Sequence, residues 1–216
     1  MSNSRTSDRR SNYRERRRPS PRITKKYEEY AIVLDVIPAD RNRRRDKYRG
    51  EPIVAALGQY WFTILEIIPE DENAIMLQDI IALSKEERNQ IKTIIGRGTY
   101  ENLTKIAELQ LPIAIEKILE TQSQRFMSFL NKASPISLRQ HSLHLLKGIG
   151  PKSLTNILDE RKILPFSSFE EFEERTKVKD IRALIKERII EEITTEDIKH
   201  RLFTRAQPRG EDHRLE

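Results

Sequence analysis

The segment LLKGIGPKSLTNILDER, residues 145–161, is the most specific stretch of this chain, and its reading fixes the character of the C-terminal half. Gly148 and Gly150 bracket Ile149. An aliphatic side chain there can tuck beneath a tight turn, while the glycines let the backbone take positive φ and come close to a ligand. Pro151 suits the first position of a helix, where a missing N–H costs nothing. The free N–H groups and positive dipole end of that helix make an anion site built of main chain. A phosphate held there is gripped without any base being read, because the donors are backbone amides. Lys147, Lys152 and Ser153 flank the turn and complete the expected contact set with Gly148, Ile149 and Gly150; the lysines add long-range attraction.

A bare GxG also occurs in ordinary helix-to-helix connections. Here Leu154, Ile157, Leu158 and Arg161 follow at helical spacing, and the whole string closely resembles the helix-hairpin-helix motif of nucleic-acid-binding proteins. Residues 165–193, PFSSFEEF and then TKVKDIRALIKERIIEEI, look like the second half of a tandem hairpin domain. Lys179, Asp180 and Ile181 stand where glycines are expected, so this second turn is read as structural only. Three helices are expected here, over 152–161, from Ser168 with its Glu171 capping partner, and over 181–193.

Upstream the pattern changes from helix to strand. YAIVLDVIP (30–38), PIVAAL (52–57), YWFTILEII (60–68) and AIMLQDI (74–80) are short runs of strand formers punctuated by Pro, Gly and Asp. They predict a small, partly open barrel of OB type, with Gly58 at a bulge or tight bend and Thr99 to Leu103 as a closing strand. Ser84 and Glu87 form a capping-box signature for a helix ending near Gly96. Pro112 reads as the first turn of a longer helix, with Ile115, Ile118, Leu119, Phe126, Phe129 and Leu130 in one apolar stripe. Ser137 is read as capping a short helix through Leu145, and residues 199–205 as an added strand. The expected class is α+β: an Arg-rich disordered tail over 1–26, an OB-like β-barrel domain over 27–104, connecting helices over 105–134, a helix-hairpin-helix domain over 135–205 and a loose end over 206–216.

Composition narrows the function. The chain has 216 residues, 34% charged and 37% hydrophobic, with a net charge of +6. Residues 1–26 hold ten basic against two acidic side chains, so the other 190 residues sum to −2. Such a segment cannot bury enough apolar area to offset its ordering entropy, and its Arg14, Arg16, Arg17 and Arg18 suit a polyanion-binding arm. A second basic segment, RNRRRDKYR, carries Arg41, Arg43, Arg44, Arg45, Lys47 and Arg49, whose forked guanidinium groups suit phosphate, with Tyr48 placed to stack among them. No cysteine is present, which excludes disulfides, thiolate nucleophiles and Cys-ligated metals. His141 and His144, three apart, are too few for a zinc site. No apolar run is long enough for a membrane span and no secretory signal is evident, so a cytoplasmic protein is expected.

The strand region and the hairpin together resemble an uncharacterised archaeal protein family that joins an OB-like strand domain to a helix-hairpin-helix domain. The similarity runs from about Tyr27 to Arg205, through YAIVLDVIPAD, GQYWFTILEI and the hairpin, and leaves the Arg-rich tail outside. It implies an RNA- or DNA-binding protein linked to ribosomes or translation, and it supplies no catalytic residues. Tyr60 and Trp61 are candidate base-stacking residues, because OB-like barrels stack bases on strand aromatics. In a strand, Tyr60 and Phe62 would share one face and Trp61 the other.

An enzymatic reading needs a catalytic Asp in a Gly/Pro-containing loop just beyond the hairpin, as in a base-excision glycosylase. FSSFEEFEERTKVKD offers only Asp180, without that context. The expectation is a non-enzymatic nucleic-acid-binding protein without cofactor or metal, favouring RNA over DNA. Ribosomal RNA is the leading partner and ribosomal proteins are further candidates. A DNA-binding architectural or repair accessory protein and a protein-binding adaptor are the alternatives.

Overall fold

The structure, a computed structural model, describes residues 27–42 and 46–206. Five strands form one antiparallel sheet: β1 (Tyr30–Ile37), β2 (Ile53–Gly58), β3 (Ile64–Pro69), β4 (Ile80–Ala82) and β5 (Ile91–Arg97). Their spatial order is β4-β1-β2-β3-β5, and the sheet curls into a half-barrel whose two edges, β4 and β5, stay apart. The near-continuous apolar runs have a direct cause, since both faces of the sheet are buried. Ile32, Leu34, Ala55, Leu57 and Ile64 face the helices, whereas Ala31, Val33, Val54, Ala56, Leu65 and Ile67 meet Ile75, Ile81, Leu83 and Ile91 on the other side.

Five helices follow: α1 (Lys105–Thr121), α2 (Ser123–Lys132), α3 (Pro151–Ile163), α4 (Phe169–Thr176) and α5 (Ile181–Thr194). α1 packs against β1 on one side and α5 on the other, so a single apolar cluster runs from the sheet through α1 and α2 to α3, α4 and α5. A bulge seats α1. The β1–β2 register slips between Val33 and Asp35, which turns Asp35 toward the helix, where it accepts from the Thr104 hydroxyl. Thr104 in turn caps α1 by accepting from the Ala107 N–H at 3.1 Å.

Several local signals are overruled by pairing. Ser84 to Arg88 is only a turn, and the residues expected to be helical up to Gly96 form β5, because the β-branched run around Ile91, Thr93, Ile94 and Ile95 completes the ladder on β3. Glu87 accepts from the Tyr30 hydroxyl at 2.7 Å instead of closing a capping box. Residues 100–102 form a 3-10 turn, not a closing strand, and β4 lies at 80–82 rather than 74–80. Pro112 sits inside α1, because Thr104 caps the helix farther upstream. The stretch after Ser137 closes a Pro135–His141 bridge before a 3-10 turn at Ser142–Leu145.

Residues 199–205 form no strand; a buried carboxylate holds them. Glu192 of α5 accepts from the N–H groups of Leu202 (2.6 Å), Phe203 (3.0 Å) and Thr204 (2.9 Å), and from Arg188 Nε at 2.9 Å. Phe203 then packs beside Phe126 and Phe129, with ring centroids 5.9 and 4.9 Å away. Among the described residues, no helix is long and apolar enough to cross a membrane.

Candidate nucleic-acid interface

The turn at 147–150 joins the Ser142–Leu145 3-10 turn, where a helix was expected, to α3, and it keeps only part of the expected geometry. Gly148 takes φ +96°, Ile149 is buried beneath it, and Pro151 begins α3. Gly150, expected at positive φ, instead has φ −84° and ψ 179°, extended backbone that any residue adopts. The reason is its place at the cap of α3, where its carbonyl accepts the first helical bond from Leu154 at 2.9 Å. Among the described residues, no side chain caps this helix start. Lys152 is exposed and Ser153 half-buried in the first turn. Lys147 is drawn the other way, its ammonium 3.4 Å from a Glu191 carboxylate oxygen on α5.

The second turn differs in length and register from the first: Lys177 and Val178, not Lys179 and Asp180, stand where Gly148 and Ile149 do, Lys179 is an extra residue before the cap, and Asp180 at the cap is itself left-handed at φ 51°. Lys177 takes the left-handed conformation at φ 60°, Val178 is buried as Ile149 is, and Asp180 caps α5 by accepting from the Ala183 N–H at 3.2 Å.

Within the basic loop, Arg41, Lys47 and Arg49 are exposed and Tyr48 is half-buried. Asn42 ties the loop base by donating to the Tyr48 and Glu51 carbonyls, both at 2.8 Å. Lys47 Nζ stands 5.0 Å from the Tyr48 ring centre. Arg43, Arg44 and Arg45, like Arg14, Arg16, Arg17 and Arg18 of the N-terminal segment, lie outside the described residues.

Tyr60 and Trp61 are not on a strand, which corrects the expected alternation: they occupy the turn between β2 and β3. Glu28 builds that turn. Its carboxylate accepts from the N–H groups of Tyr60 (2.8 Å), Trp61 (2.9 Å) and Thr63 (3.2 Å), and Phe62 is driven to φ 53° with its ring buried. Gly58 makes room, since a Cβ there would lie 2.2 Å from Glu28 Cδ. Arg125 of α2 stacks on the Tyr60 ring at 4.4 Å and donates to the Gln59 and Tyr60 carbonyls, and burial lowers its pKa. Arg205 stacks on Trp61 at 4.2 Å, and the two aromatic rings meet edge to face at 4.9 Å. Beside them a cavity of about 470 Å³ opens between this turn and the α1–α2 junction.

The candidates therefore form three clusters. The basic loop and the aromatic turn lie at opposite ends of β2, about 20 Å apart at the usual strand rise, and the hairpin belongs to the helical side. Glu28, Arg125 and Arg205 carry no local sequence signal, because each acts on residues far along the chain.

His141 is buried, with Nδ1 accepting from the Leu143 N–H at 3.1 Å. Burial first, then Arg161 and His144, hold its pKa below the ordinary histidine value. Among the described residues, no group of three or more His, Cys, Asp or Glu is placed to hold a metal.

Residues 27–205, the span that includes the Glu28 cradle, the hairpin and Arg205, match the family described as "Protein of unknown function (DUF655)". The chain belongs to the DUF655 family. A DUF655 relative, the uncharacterized protein MJ0038 of Methanocaldococcus jannaschii, is 33% identical over 185 residues, covering 86% of this chain and 82% of the relative. The crystal structure of Af1531 from Archaeoglobus fulgidus, a DUF655 protein, is 36% identical and superposes with a TM-score of 0.74 over 82% of this chain and 100% of that one. The resemblance to an archaeal family thus holds at the level of DUF655.

Proposed function

We propose that this DUF655 protein is a non-enzymatic, cytoplasmic nucleic-acid-binding protein that grips RNA, ribosomal RNA above all, by its phosphate backbone. The observation that carries the reading is the first hairpin. A left-handed Gly148, a buried Ile149 and a start of α3 with no side-chain cap bond among the described residues stand beside the exposed Lys152, and the free N–H groups of a helix start favour an anion. In this reading the half-barrel is OB-like, a view that rests on its curl and its unjoined edges. The basic loop and the Arg-rich residues 1–26 add phosphate contacts at other points of the surface.

The test is a salt titration of the full chain on a structured RNA, repeated after removal of residues 1–26. Each phosphate contact adds about 0.9 to the log–log slope on duplex DNA and about 0.7 on single strands. Truncation is expected to weaken binding and flatten the slope while the melting temperature holds. An unchanged slope removes the N-terminal segment from the interface, and no measurable binding by the full chain refutes the function.

The adaptor reading is favoured by one observation. Ile106, Leu109 and Ile113 expose an apolar stripe on α1, and Met76, Leu77 and Ile80 are exposed in the neighbouring segment that Gln78 fastens to Gln110. Stripes of this kind often mark protein contacts.

A further inference from the structure

We propose that the outer face of α1, with the sheet edge beside it, is the two-fold face of a homodimer of this chain. Among the described residues α1 is apolar on two sides. Leu111, Ile115 and Ile118 face the core, while Ile106, Leu109 and Ile113, at spacings of three and four, line the opposite side in the open. A helix on the surface of a monomer keeps that second side polar. Met76, Leu77 and Ile80 extend the stripe sideways, and the six side chains are each 43–70% exposed. Gln78 makes the two parts one surface. It is held in the left-handed conformation at φ 67°, its Nε2 donates to the Gln110 carbonyl at 3.1 Å, and its own carbonyl accepts from Lys117 at 2.8 Å. Such strain persists only where neighbours over-determine it, so the patch is ordered before a partner arrives and association costs less entropy.

Area and charge select a second copy as the occupant. The six side chains present roughly 600 Å² of apolar surface, the upper end of what a monomer leaves in one patch and close to the roughly 800 Å² that each side of a standard interface buries. The rim is balanced. Lys105 pairs with Glu108 at 2.7 Å and Lys186 with Glu116 at 3.2 Å, while Lys117 is tied to the Gln78 carbonyl and Asp79 accepts from the Met76 N–H. A face with equal charges of both signs meets its own copy without like-charge repulsion, and it offers a polyanion no surplus of cation. Ile80 also belongs to β4, an edge of the sheet, and covering such an edge keeps it from pairing with other chains. In a two-fold arrangement Leu109, in the middle of the stripe, meets its own counterpart. This association does not depend on RNA, and it assigns the stripe to a second copy instead of to a different protein.

The experiment is sedimentation velocity on the nuclease-treated full chain over a wide range of concentration, in low and in high salt. The parent is expected to reach the mass of two 25.5 kDa chains at micromolar concentration and to keep it in high salt, since an apolar face is not screened. Its melting temperature should rise with concentration. Leu109→Glu puts a charge at the centre of the face, and the dimer dissociation constant should rise roughly 100-fold or more, while the dilute variant melts as the dilute parent does. Leu138→Glu, in the fully exposed turn closed by the Pro135–His141 bridge, should leave the dimer unchanged. The chain has no cysteine, so Leu109→Cys carries a single thiol and should oxidise to a disulfide-linked dimer far faster than Leu138→Cys does. If Leu109→Glu melts lower even when dilute, the cysteine pair decides alone. A parent that stays one chain at every concentration overturns the dimer and returns the stripe to the adaptor reading. A dimer that Leu109→Glu leaves intact, or one that high salt dissolves, overturns this face as its origin.

Discussion

Gly148→Ala and Gly150→Ala separate backbone strain from ligand approach, because the two glycines of one turn occupy different conformations. At Gly148 an added Cβ would meet Leu184 methyls at 3.6 and 3.7 Å, ordinary contact, so the cost comes from φ +96° alone. Holding a side-chain-bearing residue there costs about 1–3 kcal/mol, a fall of about 2–12 °C in melting temperature for a chain of this size. At Gly150 the Cβ meets nothing within 4 Å and φ is −84°. The weaker cap made by Ala and the reduced freedom of the unfolded chain offset each other within about 1 kcal/mol, so melting should stay within about 4 °C of the parent. The open space facing that methyl is where the phosphate is proposed to sit. Gly150→Ala should therefore lose about tenfold or more in RNA affinity, the worth of a charge-assisted hydrogen bond, across all sequences alike. Thermal melting followed by circular dichroism and a filter-binding titration measure both quantities. If Gly150→Ala melts as low as Gly148→Ala, the extended backbone at 150 is wrong. If it melts and binds as the parent does, the hairpin is scaffold and the adaptor reading replaces the proposed function.

Two further perturbations test the helical side. Glu192→Ala leaves the N–H groups of Leu202, Phe203 and Thr204 without their acceptor, while Arg188 keeps Glu191 and the His200 carbonyl as partners; the orphaned donors cost about 3–5 kcal/mol, which lowers melting by about 6–20 °C and exposes residues 199–206 to proteolysis, and a shift under about 2 °C refutes the clamp. Glu171 accepts from the Ser167 N–H and hydroxyl and pairs with Arg175, which together hold its pKa at about 2, below the ordinary 4.5. A depressed carboxyl pKa adds stability that is fully present above its unfolded value and is lost as pH falls through the folded one. Glu171→Gln should therefore flatten the fall in melting temperature between about pH 5 and pH 2, and an unchanged acid profile refutes the assignment.

The legible parts of the fold are those where local and tertiary preferences agree. β1 and β2 could be read directly because β-branched runs suit strands buried on both faces, and α3 and α4 because Pro151 and Ser168 mark their starts, whereas the Asp180 cap of α5 is visible only in the structure. β5 was hidden behind a four-residue capping signature at Ser84, whose competitor, the ladder on β3, lies more than 20 positions upstream in sequence. The hairpin was legible as a turn with a buried Ile149, but the difference between its glycines was not, since either conformation suits glycine. The aromatic turn was misread as strand for the same reason that β5 was missed: Glu28, 32 residues before Tyr60, bends a run whose composition is that of a strand.

Glu28 and Arg205 grip the same short turn, one through its amides and the other through the Trp61 ring. The beginning and end of the span shared with DUF655 therefore meet at one corner, so the fold is close to a ring in connectivity as well as in space. Compact folds with neighbouring ends tolerate circular permutation. A short flexible linker from residue 206 to residue 27, with new ends cut beside the fully exposed Leu138, should give a permuted chain that keeps every strand pairing and the Glu192 clamp.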